Sequence, residues 1–281
     1  GFWMCLALVI GNMIGSGVFM LPASLAPYGL NSVMGWVLTA LGSLLLASVF
    51  STLSRSLPNQ NGPYAYTRLA FGDLIGFVVA WGYWVAVWVG NAAVATGAVS
   101  YLAHLMPWIV EVPGASTMVT LGFVWLFTYI NLRGAKETGA VQIVTTVLKL
   151  LPLLAIIGLG VYLFGTSDSR INTTALQNHH FELSAVTATA TLTLWAFLGL
   201  ESASVASDKV IDPERTIPKA TLWGTLITAL VYIFSCTVVI LLIPSDQLAS
   251  SNAPFSDAIA LFWGADAGNL LELFAALRGL G

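Results

Sequence analysis

Two short stretches hold the groups that could do chemistry. The first, GNMIGSGVFMLPA from Gly11 to Ala23, sets Asn12 and a Gly15-Ser16-Gly17 triplet in an uncharged run, with Pro22 close behind. The second, TLWAFLGLESASVAS from Thr193 to Ser207, places Gly199 and Glu201 in another apolar run. Neither reads as catalytic. Ser16 lacks the glycine that a G-x-S-G protease motif needs, because Ile14 stands there. What these stretches could do is bind. A helix interrupted at 14–17 would leave the N–H groups of Ser16 and Gly17 at the start of its second half. Those donors, with the positive end of the helix dipole, suit a carboxylate. The carbonyls of Met13 and Ile14, ending the first half, suit an ammonium. Together they would grip the backbone of an α-amino acid, with glycine at Gly15 and Gly17 because a Cβ would block the ligand's approach. The competing reading is structural: Gly11-x-x-x-Gly15 also fits a closely packed helix interface.

The elements that must position these groups follow from composition. The 281 residues are 57% hydrophobic and 8% charged, with a mean hydropathy of +0.86. A soluble domain is about a quarter charged, so a water-facing surface is excluded. No Asp, Glu, Lys or Arg precedes Arg55. A membrane span needs roughly 20 apolar residues, and segments of that kind lie at 1–27, 31–54, 73–104, 115–131, 138–164, 183–206 and 218–243, with an eighth starting near 266. Cys5 and Cys236 sit in apolar runs as small core residues, not as a disulfide or metal site. His179 and His180 read as solvated loop residues, and no metal or cofactor is expected. Without a starting Met or a basic n-region, the chain is expected to be trimmed at its front.

Alternate loops differ sharply in basic residues. One set holds Arg55, Arg68, Arg133, Lys136, Lys209, Arg215 and Lys219, the other only Arg170. Seven against one places the first set, and the amino terminus, in the cytoplasm. The 165–182 loop is then extracytoplasmic. Pro, Asn and Gly stop the helices in SRSLPNQNGPYAY and DKVIDPERTIPKA, and Pro218 suits the first turn of the seventh span. The two unusual spans are the first and the sixth. That spacing fits two inverted repeats of five helices around a site at mid-depth. A carboxylate as deep as Glu201 should face a cavity or be protonated. Two asymmetric breaks favour an occluding carrier over a channel.

The stretches GNMIGSGVFMLPA, YWVAVWVGNAA and TLWAFLGLESASVASDKVIDPERTIPKA resemble the amino acid–polyamine–organocation superfamily, and within it the basic amino acid/polyamine antiporters. The resemblance runs over the whole chain. It implies an all-α LeuT-type fold of inverted repeats, with the first five-helix repeat at 1–165 and a partial second repeat at 183–281 that stops within the eighth helix. Carried over by position, it implies that Asn12, Met13, Ile14, Gly15, Ser16 and Gly17 hold the substrate's amino and carboxylate groups. It implies further that the Trp195 ring stacks on the substrate and that the carbonyls of Trp195 and Leu198 join in binding its ammonium. Ala86 and Asn91 would contact the distal end, Tyr83 and Glu201 would form a cytoplasmic-side gate, and Tyr64 would bear on pH response.

Lys149, in TTVLKLLPLL, departs from the arginine exchanger pattern. It resembles instead a fifth-span lysine of proton-coupled members of the superfamily, whose ammonium occupies the region that sodium fills in sodium-dependent relatives. A lysine at mid-span is too deep to reach water easily, so sodium-independent transport is expected. Two functions stay open: exchange of amino acids, cationic ones or polyamines among them, and a proton-coupled permease for neutral amino acids on the same scaffold. Expected partners are the amino acid or polyamine substrate and the bilayer of the cell membrane, with protons and a second copy of the chain as further candidates. Nucleic acid is not among them.

Overall fold

The computed structural model describes residues 1–58, 60–166 and 180–264, apart from the side chains of Ser16, Ser100, Tyr101, His104, Leu105 and residues 135–137. Arg170, His179 and the eighth span lie outside the described residues. Every regular element within them is helical. In order these are α1 (Phe2–Met13), a 3-10 turn (Ser16–Phe19), α2 (Leu21–Leu25), a second 3-10 turn (Ala26–Tyr28), α3 (Asn31–Ser56), α4 (Gly62–Phe71), α5 (Asp73–Leu105), α6 (Trp108–Glu111) and α7 (Ala115–Arg133). Then follow α8 (Ala135–Thr166), α9 (Leu183–Leu194), a 3-10 turn (Trp195–Phe197), α10 (Ser202–Val205), a 3-10 turn (Ser207–Lys209), α11 (Pro213–Leu242), α12 (Ser245–Ala249) and α13 (Pro254–Trp263).

Among the described residues, six segments are long and apolar enough to cross a membrane: Asn31–Ser56, Asp73–Val99, Ala115–Arg133, Thr138–Thr166, Leu183–Val205 and Pro213–Leu242. The first apolar run does not join them as one helix, because it is divided into α1, the 3-10 turn and α2. The seventh span begins at Pro213, not Pro218. Asp212 takes a left-handed conformation (φ 53°) and turns the chain into a helix whose first residue is Pro213, where a missing N–H costs nothing. Pro218 lies one turn further in, buried.

Burial locates the core. Within its apolar window α11 is 67% buried, against 6% for α5 and none for α7. Thus α11 is the central post, packed by α3, α1 and α8, and α9 packs on α3. Small polar residues allow the close approach. Thr39 Oγ1 lies 3.0 Å from Thr193 Oγ1 between α3 and α9, and a Cβ on Gly35 would come within 2.2 Å of Thr189 Oγ1. Such hydroxyl contacts hold helices together where lipid supplies no hydrophobic drive. Cys5 and Cys236 are both free thiols in this interior.

Candidate functional site

α1 ends because its backbone turns. Ile14 (φ −78°, ψ 83°) makes a tight inverse turn in which the Gly15 N–H donates to the Met13 carbonyl at 2.9 Å. Gly15 is then extended (φ −93°, ψ −177°) before the chain resumes at Ser16. The opening amides of that second segment, Ser16 and Gly17, have no intrahelical acceptors by geometry. Inside a bilayer, carbonyls freed at such a break need donors, and two neighbouring spans supply them. Lys149 Nζ donates to Gly11 O at 2.8 Å from α8, and the Tyr232 hydroxyl donates to Met13 O at 2.7 Å from α11. One turn back, Thr146 Oγ1 donates to Ala7 O at 3.0 Å. Gly11 is what lets α8 come so near: a Cβ there would stand 2.0 Å from Gln142 Nε2 and 2.5 Å from Thr146 Oγ1. So the small-residue packing that the sequence leaves open holds at Gly11, on the face turned to α8.

The second interruption follows α9. Trp195–Phe197 tighten into a 3-10 turn, Leu198 extends (φ −64°, ψ 140°), and Gly199 takes φ +108° before α10 begins. Only glycine adopts that φ without strain. It is also fixed by contact, since a Cβ would meet the Asn12 backbone at 2.9 Å. The two breaks therefore touch. Glu201 folds back so that its Oε2 accepts the Gly199 N–H at 3.1 Å. The deep acid thus satisfies an amide that the break has freed, and it lines the same cavity as Tyr83 of α5. Behind the breaks Trp36, Phe197 and Tyr232 form a closed aromatic group, with ring centroids 5.2 to 6.0 Å apart.

A cavity of about 460 Å³ opens between the two breaks and α5. Asn12, Met13, Gly15, Gly17, Tyr83, Ala86, Asn91, Trp195, Leu198 and Glu201 all line it. Its α5 wall runs Tyr83, Ala86, Val87, Gly90, Asn91 and Val94, one face of a helix. Glu201 is the one carboxylate among the described lining residues, and no Lys, Arg or His joins it there. Trp195 is half exposed, and its ring lies over Gly17, where a Cβ would come within 1.8 Å of the indole. Gly17 is therefore glycine to seat the tryptophan, whereas Gly15 is open to the cavity, its nearest neighbour being Val94 at 4.0 Å.

Three candidates stand apart. The Ile14 side chain is fully buried. Lys149 is buried behind α1 against Gly11, away from the cavity lining. Tyr64 lies on α4, partly exposed, and accepts a hydrogen bond from Arg68 Nη1 at 3.3 Å. Arg68 also pairs with Asp73 at 2.5 Å, and that carboxylate raises its pKa further. Beside α4, Ser207 bonds Asn61 and the Gln60 carbonyl, so this loop is tied to the chain that follows the second break. Among the described residues no three His, Cys, Asp or Glu side chains gather as metal ligands would.

Sequence reasoning missed Tyr232, which a lone Tyr in TALVYIFSC does not betray, and the full α5 stripe, visible only as small residues at helical spacing. Tyr232→Phe removes the side-chain donor to the Met13 carbonyl and leaves it the Gly15 amide alone. The variant should unfold in detergent at a lower temperature, by an amount matching about 1 kcal/mol; an unchanged melting curve would show that bond to be dispensable.

The family model for amino acid permeases matches residues 1–277. The chain belongs to the amino acid permease family. Its all-helical, membrane-spanning architecture fits the LeuT-type fold of that superfamily. The chain is 34% identical over 286 residues to the cadaverine/lysine antiporter of Escherichia coli (strain K12), a match covering all of this chain and 63% of the antiporter. It is 35% identical over 265 residues to the putrescine transporter PotE of the same strain, covering 94% of this chain and 60% of the relative. A PotE of Haemophilus influenzae is 35% identical over 254 residues, with 90% and 58% covered. The chain spans less than two thirds of the length of these curated relatives.

Proposed function

We propose that this chain carries the substrate site of a secondary transporter that exchanges cationic amino acids or polyamines through the cavity between the two breaks. The observation that carries the reading is the lining itself: one carboxylate, Glu201, one half-exposed indole, Trp195, and no cationic side chain among the described residues. An ammonium is attracted by both groups and an anion by neither. The similarity to a cadaverine/lysine antiporter and to putrescine transporters supports the same substrate class. The amino and carboxylate groups of an amino acid would sit at Asn12 to Gly17 and at the Trp195 and Leu198 carbonyls, with Ala86 and Asn91 at the distal end and Tyr83 with Glu201 as the inner gate. Tyr64 would transmit pH from the α4 loop. The excess of basic residues in one set of loops supports an amino terminus in the cytoplasm and a chain in the cell membrane, with a first repeat at 1–165 and part of an inverted second at 183–281. A homodimer is the assembly proposed.

A second reading rests on Lys149. A buried ammonium bound to the α1 backbone favours a sodium-independent carrier with proton coupling, and on that reading a neutral amino acid is the cargo. Counterflow in proteoliposomes separates the two: exchange requires a trans substrate, whereas symport proceeds on a pH gradient alone. The outcome expected is efflux only when lysine, cadaverine or putrescine is present outside. Trp195→Leu should raise the apparent KM for such cations about tenfold, the loss of about 1–2 kcal/mol of cation–π contact. Unaltered kinetics would remove the ring from the site.

A further inference from the structure

We propose that Gly90 sets the length of substrate that the cavity accepts, by withholding the side chain that would otherwise fill the space between α5 and the breaks. The inference rests on the reading of this cavity as a transport site for amines and basic amino acids. Glycines around the cavity are of two kinds. At Gly11, Gly17 and Gly199 an added Cβ would strike Gln142, Trp195 and Asn12 at 2.0, 1.8 and 2.9 Å, so packing requires glycine there. Gly90 differs on every count. It lies within a helix, where glycine is a poor residue. Its φ is not positive, and a Cβ placed on it meets no atom within 4 Å. Neither sterics nor backbone conformation calls for glycine at this position. What glycine supplies there is free space, and that space belongs to the cavity.

Its place along α5 says which part of a substrate would use the space. One turn further on, a Val94 methyl stands 4.0 Å from where a Cβ on Gly15 would be, so the space between the walls there is about one methyl group wide. Gly90 sits about 6 Å before that narrow point by helical rise, on the same face as Ala86, Val87 and Asn91. A substrate held by its head group at the breaks would run its carbon chain toward this wall. The clearance at Gly90 then fixes how many methylenes fit before the distal amine must bend away. In apolar pockets one methylene changes selectivity by roughly ten- to two-hundredfold.

The test uses the protein expressed from its full reading frame, reconstituted in proteoliposomes, with the α,ω-diamines from propane to hexane competing for exchange. Gly90→Ala should raise the ratio of apparent KM for the longest to the shortest accepted diamine about tenfold, and Gly90→Val should steepen it. Gly82→Ala is the control, since a Cβ at Gly82 also meets nothing within 4 Å but Gly82 is not part of the lining; its ratio should stay at the wild-type value. Equal changes for every chain length in Gly90→Ala, or the same shift in Gly82→Ala, would overturn the assignment. So would an unchanged ratio in Gly90→Ala where the wild type exchanges the series. If the wild type exchanges no member, the transport reading falls first and the length assignment with it.

Discussion

Gly199→Ala should abolish substrate binding while leaving the protein in the membrane. The substitution imposes a Cβ at φ +108°, a conformation that costs a non-glycine residue about 1–3 kcal/mol. It also sets that Cβ 2.9 to 3.0 Å from the Asn12 backbone and Cβ. Backbone on the far side cannot swing away as a side-chain tip would, so the two breaks must separate. That separation displaces the Asn12 end of α1 and the Leu198–Glu201 turn together, and both line the cavity. Labelled cadaverine or lysine should show no saturable binding to the purified variant, and its melting temperature should drop. Wild-type affinity in Gly199→Ala would mean that contact between the breaks is not what shapes the site.

Lys149→Met should be nearly as severe, for a different reason. Methionine keeps much of the length but donates nothing, so the Gly11 carbonyl loses its 2.8 Å partner in a buried setting. An unpaired buried carbonyl costs about 1–3 kcal/mol, and the negative end of the α1 dipole loses its neighbouring positive charge as well. Exchange should fall by at least tenfold. In the wild type, uptake should be the same with and without a sodium gradient, because the ammonium already stands beside the α1 backbone. Strict sodium dependence would end that account of Lys149.

Much of this architecture is legible in the sequence because a bilayer imposes few solutions. Apolar runs of adequate length mark the spans, and Gly-Ser-Gly before Pro22, or Gly199 before Glu201, has no place in an unbroken helix. What resists reading is which face of an apolar helix looks at what. α5 is apolar nearly all round, so period alone cannot say that Tyr83 to Val94 faces a cavity while Trp81, Trp84 and Trp88 stay on the outside. Tyr232 and Met13 lie 219 residues apart, and no local pattern announces such a bond. The helix start at Pro213 was hidden for a smaller reason: Asp212 in a left-handed turn makes Pro213 the first residue, and Pro218 is merely tolerated.

The side chain of Tyr232 has one anchor on each interruption, its oxygen on Met13 and its ring against Phe197. A tilt of either half-helix would drag on the other through this shared rivet, set in the most deeply enclosed span. Alternation between inward and outward access would then be a concerted step, with the two halves of the binding surface leaving or arriving in unison.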